Sequence, residues 1–131
     1  MTRVNRAARL VAVAAMAIVV SAAVVTPASA TGQFACDYRF QTWPGGFWAE
    51  LMITNNGPAV NGWTAHWTFD NDERLGSIWN AVMTQQTSDV TATPMPWNRS
   101  IPTGGSAAFG WTAFASTTET PTDITINGTP C

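Results

Sequence analysis

The chain has 131 residues, 46% of them hydrophobic and only 11% charged, a size that suits one domain with a modest core and excludes a large enzyme. Six basic residues, all arginine, stand against eight acidic ones, and the resulting net charge of −2 with an isoelectric point near 5.0 argues against nucleic acid as a partner. Seven tryptophans beside a single tyrosine is an unusual balance, because one small core rarely hides seven indoles.

In chain order, Arg3, Arg6 and Arg9 make a positive start, Leu10 to Val25 is an almost unbroken apolar run, and Ala28-Ser29-Ala30 is a small-residue cleavage signal. This predicts a secretory signal peptide over residues 1–30, cut after Ala30. The run is shorter than the ~20 residues a spanning helix needs, and Pro27 follows it, so no membrane attachment is expected after cleavage. The exported domain, residues 31–131, keeps three arginines against all eight carboxylates, a net charge of −5. A secreted, extracellular location is expected, and in that oxidising setting Cys36 and Cys131 are expected to form one disulfide. On the chain-entropy model, closing so long a loop stabilises a fold by ~4–5 kcal/mol.

Alternation with period two then recurs. Phe47, Ala49, Leu51 and Ile53 point one way, as do Trp63, Ala65, Trp67 and Phe69. Further strands are predicted through Tyr38 and Phe40, Ile78 to Thr84, Val90 to Thr93, Ala107 to Phe114 and Ile124 to Ile126, each rich in β-branched or aromatic residues. Between them lie Pro44-Gly45-Gly46, Asn55-Asn56-Gly57-Pro58, Asn61-Gly62, Asp70-Asn71-Asp72, Pro94-Met95-Pro96, Pro102-Thr103-Gly104-Gly105 and Asn127-Gly128, all turn chemistry. An all-β, antiparallel β-sandwich follows, with no segment of helical periodicity longer than a turn after residue 30.

The same patterning sorts the indoles. Trp63 and Trp67 share a face with Ala65 and Phe69, and Trp111 alternates with Phe109 and Ala107, so these three belong to the core. Trp48 lies opposite the Phe47 face, and alternation alone leaves its place open. Trp43 precedes Pro44-Gly45-Gly46, Trp79 precedes Asn80, and Trp97 sits between Pro96 and Asn98; these loop-proximal positions are expected to be exposed. Three exposed indoles in a small acidic domain suggest a contact surface for a flat, neutral ligand. Polysaccharide fits, since the C–H faces of a pyranose ring stack on an indole while its hydroxyls stay at the edge. A nucleobase platform would need a cationic groove.

From Cys36 to Cys131 the chain resembles the family 2 carbohydrate-binding modules of bacterial cellulases and xylanases. The resemblance rests on Trp43 followed by Gly46-Phe47, Ile53-Thr54-Asn55, Asn61-Gly62-Trp63-Thr64, Trp79-Asn80-Ala81, Pro96-Trp97-Asn98, Ile101-Pro102, Gly104-Gly105, Phe109-Gly110 and Asn127-Gly128-Thr129-Pro130-Cys131. It implies a jelly-roll or immunoglobulin-like sandwich with a terminal disulfide, and a flat face on which Trp43, Trp79 and Trp97 stack on polysaccharide. In the xylan-binding members an Arg three residues after the first surface Trp props that ring upright and the third Trp is missing. Here the position is Gly46 and Trp97 is present, which implies a strip suited to crystalline cellulose, with chitin also within reach. The polar positions flanking the strip in relatives correspond to Gln41, Glu50, Ser77 and Thr112; Gln and Ser can bond sugar hydroxyls, whereas the Glu50 carboxylate can only accept. The function implied is that of a secreted, monomeric, non-catalytic module with no cofactor, binding insoluble polysaccharide. A piece of a longer glycoside hydrolase, or a cell-surface module that uses its tryptophans on a protein partner, are the alternatives.

Catalytic chemistry finds little support. Glycoside hydrolysis needs two carboxylates held across a bound sugar, and the best cluster, Asp70, Asp72 and Glu73, is expected to be a solvated hairpin tip with weak cation binding as the alternative. His66, the only histidine, is expected at the surface or a sheet edge and has no second histidine for a metal. No Gly-Xaa-Ser-Xaa-Gly elbow occurs.

Overall fold

The structure, a computed structural model, describes residues 32–131. The predicted signal peptide lies outside the described residues. Eleven strands run in the order β1 (Phe34–Trp43), β2 (Gly46–Asn55), β3 (Val60–Asn61), β4 (Ala65–Thr68), β5 (Arg74–Trp79), β6 (Ala81–Gln86), β7 (Asp89–Pro94), β8 (Ser100–Ile101), β9 (Ser106–Phe114), β10 (Thr125–Ile126) and β11 (Thr129–Pro130). They form a four-stranded sheet, β1-β2-β9-β5, a five-stranded sheet, β11-β10-β4-β7-β6, and a short β3-β8 pair. Every pairing is antiparallel, as the alternation predicts.

The core fills the space between the two larger sheets. Phe47, Ala49, Leu51 and Ile53 of β2, with Ala107, Phe109, Trp111 and Ala113 of β9, face Ala65 and Trp67 of β4, Val90 and Ala92 of β7, and Ile126. The three predicted core indoles are all buried and packed on one another's neighbours: the ring centroids of Trp67 and Trp111 are 5.0 Å apart, and Trp63 stacks on Phe109 at 5.2 Å. Asn55, fully buried at the end of β2, donates to the carbonyls of Pro58 and Ile101 and accepts from the Gly57 amide, so a polar side chain survives inside because its bonds are met. The Asn127-Gly128 turn has positive φ at both residues, 51° and 78°, the backbone of a two-residue hairpin loop. It delivers Cys131 to Cys36, and that disulfide ties the end of the five-stranded sheet to the first strand of the other.

Two expectations are corrected. The predicted strand from Ile78 to Thr84 is two strands in different sheets, because Asn80, with φ of 61°, turns the chain out of β5 and into β6. Secondly, Asp70 and Asp72 are exposed but Glu73 is not: its fractional exposure is 4%. The segment is a crossover from one sheet to the other, and the crossover buries Glu73 near enough to Tyr38 for its charge to be felt there. Burial pushes the Glu73 carboxyl above its ordinary range, the nearby Thr118 hydroxyl partly offsets this, and the Asp70 carboxylate adds to it. Burial first, and then the Glu73 charge, raise the Tyr38 hydroxyl well above its ordinary value.

Candidate functional site

The site is built on the outward face of the four-stranded sheet. Because β1, β2, β9 and β5 pair in register, their outward residues form rows across the strands. The first row is Trp43, Gly46, Phe114 and Arg74. The next is Gln41, Trp48 and Thr112, joined at the far edge by Ser77, whose amide donates to the Thr112 hydroxyl at 2.9 Å. The third is Arg39, Glu50, Gly110 and Trp79. In β5 both Gly76 and Ser77 stand against Thr112, a bulge that lets the strand reach its end at Trp79.

Two indoles lie over glycine. Trp43 closes the hairpin whose loop is Pro44-Gly45, with Gly45 at φ 91°, the Pro-Gly order of a type II turn. From that corner its ring leans over Gly46, where an added Cβ would stand 3.0 Å from Trp43 Nε1. The ring of Trp79 covers Gly110 still more closely, and a Cβ there would fall inside the indole. Both rings lean from an edge strand toward the middle of the sheet, and they are 45% and 38% exposed. Their rows are four residues apart on β9, ~14 Å along the strand at ~3.4 Å per residue.

Trp97 comes from outside the sheet. It sits in the Met95–Asn98 turn, 68% exposed, and Asn98 holds that turn in place. The Asn98 side chain accepts from the Met95 amide at 2.9 Å and donates to the carbonyl of Asn80 at 2.7 Å, while its carbonyl accepts from Trp63 Nε1 at 2.9 Å. The residue that follows Trp79 is thereby clamped to the residue that follows Trp97. A core indole fixes the clamp from below.

The predicted polar positions share this face. Gln41 and Ser77 stand at the two edges of the row between the Trp43 and Trp79 rows, Thr112 lies inside it, and Glu50 is next to Gly110 under the Trp79 ring. Arg39, opposite Glu50, pairs instead with Asp37 at 3.0 Å, and both of those side chains are exposed. His66 stands away from this face on β4, half-exposed, with Asp89 at 3.9 Å.

Some residues of the face were not found from sequence. Trp48, left open by alternation, lies on it half-buried between Gln41 and Thr112. Phe114, 66% exposed, stands in the Trp43 row. Gly110 carries the Trp79 ring, and a glycine inside the run Phe109-Gly110-Trp111 is the sequence signal of a close approach.

The family model described as "Cellulose binding domain" matches residues 34–131. The chain belongs to this family. Among curated relatives, Endoglucanase CelA of Streptomyces lividans is 41% identical over 108 residues, covering 80% of this chain and 24% of that protein. Exoglucanase A of Cellulomonas fimi is 34% identical over 108 residues, covering 81% of this chain and 12% of the relative. The chain thus spans about a quarter or less of the length of these relatives. Among solved structures, the chitin-binding domain of Chi18aC from Streptomyces coelicolor matches with a TM-score of 0.61 and 26% identity, over 73% of this chain and 91% of that one. The chitin-binding domain of a Pyrococcus furiosus chitinase, at 21% identity and a TM-score of 0.59 over 72% of this chain and 92% of its own, shares the fold.

Proposed function

We propose that residues 31–131 are a secreted, non-catalytic module that adsorbs to crystalline cellulose through Trp43, Trp79 and Trp97. The observation that carries this is the seating of Trp43 and Trp79, both still exposed, over Gly46 and Gly110 of one sheet face, with Trp97 clamped beside Trp79 through Asn98. Indoles seated on backbone glycines and still 38–45% exposed offer aromatic surface to a ligand, and an indole face matches the C–H face of a sugar ring. Because the rings are fixed before binding, little ordering entropy opposes adsorption. Gln41, Ser77 and Glu50 supply hydrogen-bonding groups beside the strip. Gly46 does more than leave out a propping arginine, since a Cβ there would crowd the Ala113 carbonyl at 2.7 Å and the Trp43 ring at 3.0 Å.

Chitin is the second polymer, supported by the likeness to the chitin-binding domain of Chi18aC. Kinship with much longer glucanases supports a role in polysaccharide breakdown, with the bond-breaking chemistry carried by a different domain. Export through the signal peptide over residues 1–30 and action as a monomer complete the proposal.

A depletion assay tests it. The purified protein and the variants Trp43→Ala, Trp79→Ala and Trp97→Ala are mixed with microcrystalline cellulose, chitin and insoluble xylan. Cellulose should remove the wild type from solution, xylan should not, and each substitution should weaken adsorption by ~1–3 kcal/mol, about 5- to 150-fold. Equal adsorption of wild type and the three folded variants would refute the assignment and bring the protein-partner alternative forward.

A further inference from the structure

The face holds one large exposed aromatic residue that the strip does not use. Phe114 is 66% exposed at the end of β9, in the same cross-strand row as Trp43. The two rings lean the same way across the sheet and so stay apart. Trp43 covers Gly46 of β2, whereas an edge carbon of the Phe114 ring lies 3.5 Å from where a Cβ on Gly76 of β5 would stand. Since β9 separates β2 from β5, the two seats are two strand spacings apart, ~10 Å across the sheet.

The line of the strip runs obliquely, from Trp43 over β2 in the first row to Trp79 over β9 in the third. Trp48, on β2 in the middle row, stands close to that line. Phe114 stands beside it, on the β5 side. A single extended glycan chain stacked on Trp43 and Trp79 therefore passes Phe114 by. The apolar ring nevertheless continues the same surface, with no charged side chain between it and Trp43 in their row.

We propose that Phe114 contacts a second, parallel chain of an ordered β-linked glucan, beside the chain stacked on the tryptophans. The inference rests on the function proposed above and adds a consequence of its own: the face recognises the array rather than the single chain. A soluble oligosaccharide offers only the strip's partner. A crystal face offers both, and two linked contacts multiply in affinity.

The test compares two ligands, microcrystalline cellulose by depletion and soluble cellohexaose by NMR titration, across the wild type, Phe114→Ala, Phe114→Tyr and Trp43→Ala, each checked by thermal melting. Phe114→Ala should lower affinity for the crystalline polymer about 10-fold and leave that for cellohexaose within about twofold, while Phe114→Tyr retains both. Trp43→Ala should weaken both. Unchanged adsorption of Phe114→Ala to the crystal, or an equal loss on both ligands, overturns the second-chain contact. A Trp43→Ala variant that keeps full affinity for both overturns the strip itself, a different failure.

Discussion

Gly110→Ala is expected to reduce adsorption to crystalline cellulose about 10-fold while leaving the fold intact. The added methyl group enters the volume of the Trp79 indole, which lies across Gly110. Trp79 is on an edge strand and more than a third exposed, so its ring is free to swing outward, at a stability cost of ~1–3 kcal/mol. The ring that swings out no longer lies flush with its neighbours. A double-mutant cycle isolates this route. If Gly110 acts only by seating the indole, Gly110→Ala made in a Trp79→Ala background should cause no further loss of adsorption. Additive losses in the double variant would mean that the glycine backbone, rather than the ring above it, makes the contact.

Replacing Glu73 by glutamine should stabilise the protein at neutral pH. Glu73 is buried, and burial lifts its carboxyl above the usual range, so the folded protein holds that proton more tightly than the unfolded chain does. Well below the ordinary carboxylate range both states are protonated and the group is neutral in its effect. As pH rises from that range through the raised folded value, stability falls, and above it the full cost of the buried charge remains. The glutamine variant lacks this fall. Melting temperatures of the two proteins should therefore converge near about pH 3 and separate by about pH 7, with the variant higher. A variant less stable at neutral pH would show that the ionised carboxylate makes a net favourable contact and would contradict this reading.

What could be read without coordinates follows from what alternation encodes. The run Phe47 to Ile53 and the run Trp63 to Phe69 lie inside the sandwich because period-two patterning marks the buried face of a strand, whatever that strand pairs with. Trp63, Trp67 and Trp111 were legible for the same reason, and turn residues next to Trp43, Trp79 and Trp97 correctly marked them as exposed. Pairing order is not carried by such patterns. Trp48 and Phe114 join the face only because β2 and β9 are neighbours in register, and that neighbourhood is set by contacts distant in sequence. The break at Asn80 was hidden because β-branched and aromatic residues continue on both sides of it. A left-handed asparagine is visible only in the backbone. Glu73 was misplaced because a carboxylate beside Asp70 and Asp72 has the composition of a solvated turn, and only the crossover between sheets turns it inward.

The central claim is that three indoles lie against the polymer in the adsorbed state, and hydroxyl-radical footprinting of the protein free and bound to microcrystalline cellulose examines it directly. Oxidation of Trp43, Trp79 and Trp97, read by mass spectrometry, should fall sharply on adsorption. Val82, exposed on the opposite sheet, should react equally in both states. Three tryptophans that oxidise as fast on the fibre as in solution would contradict the account.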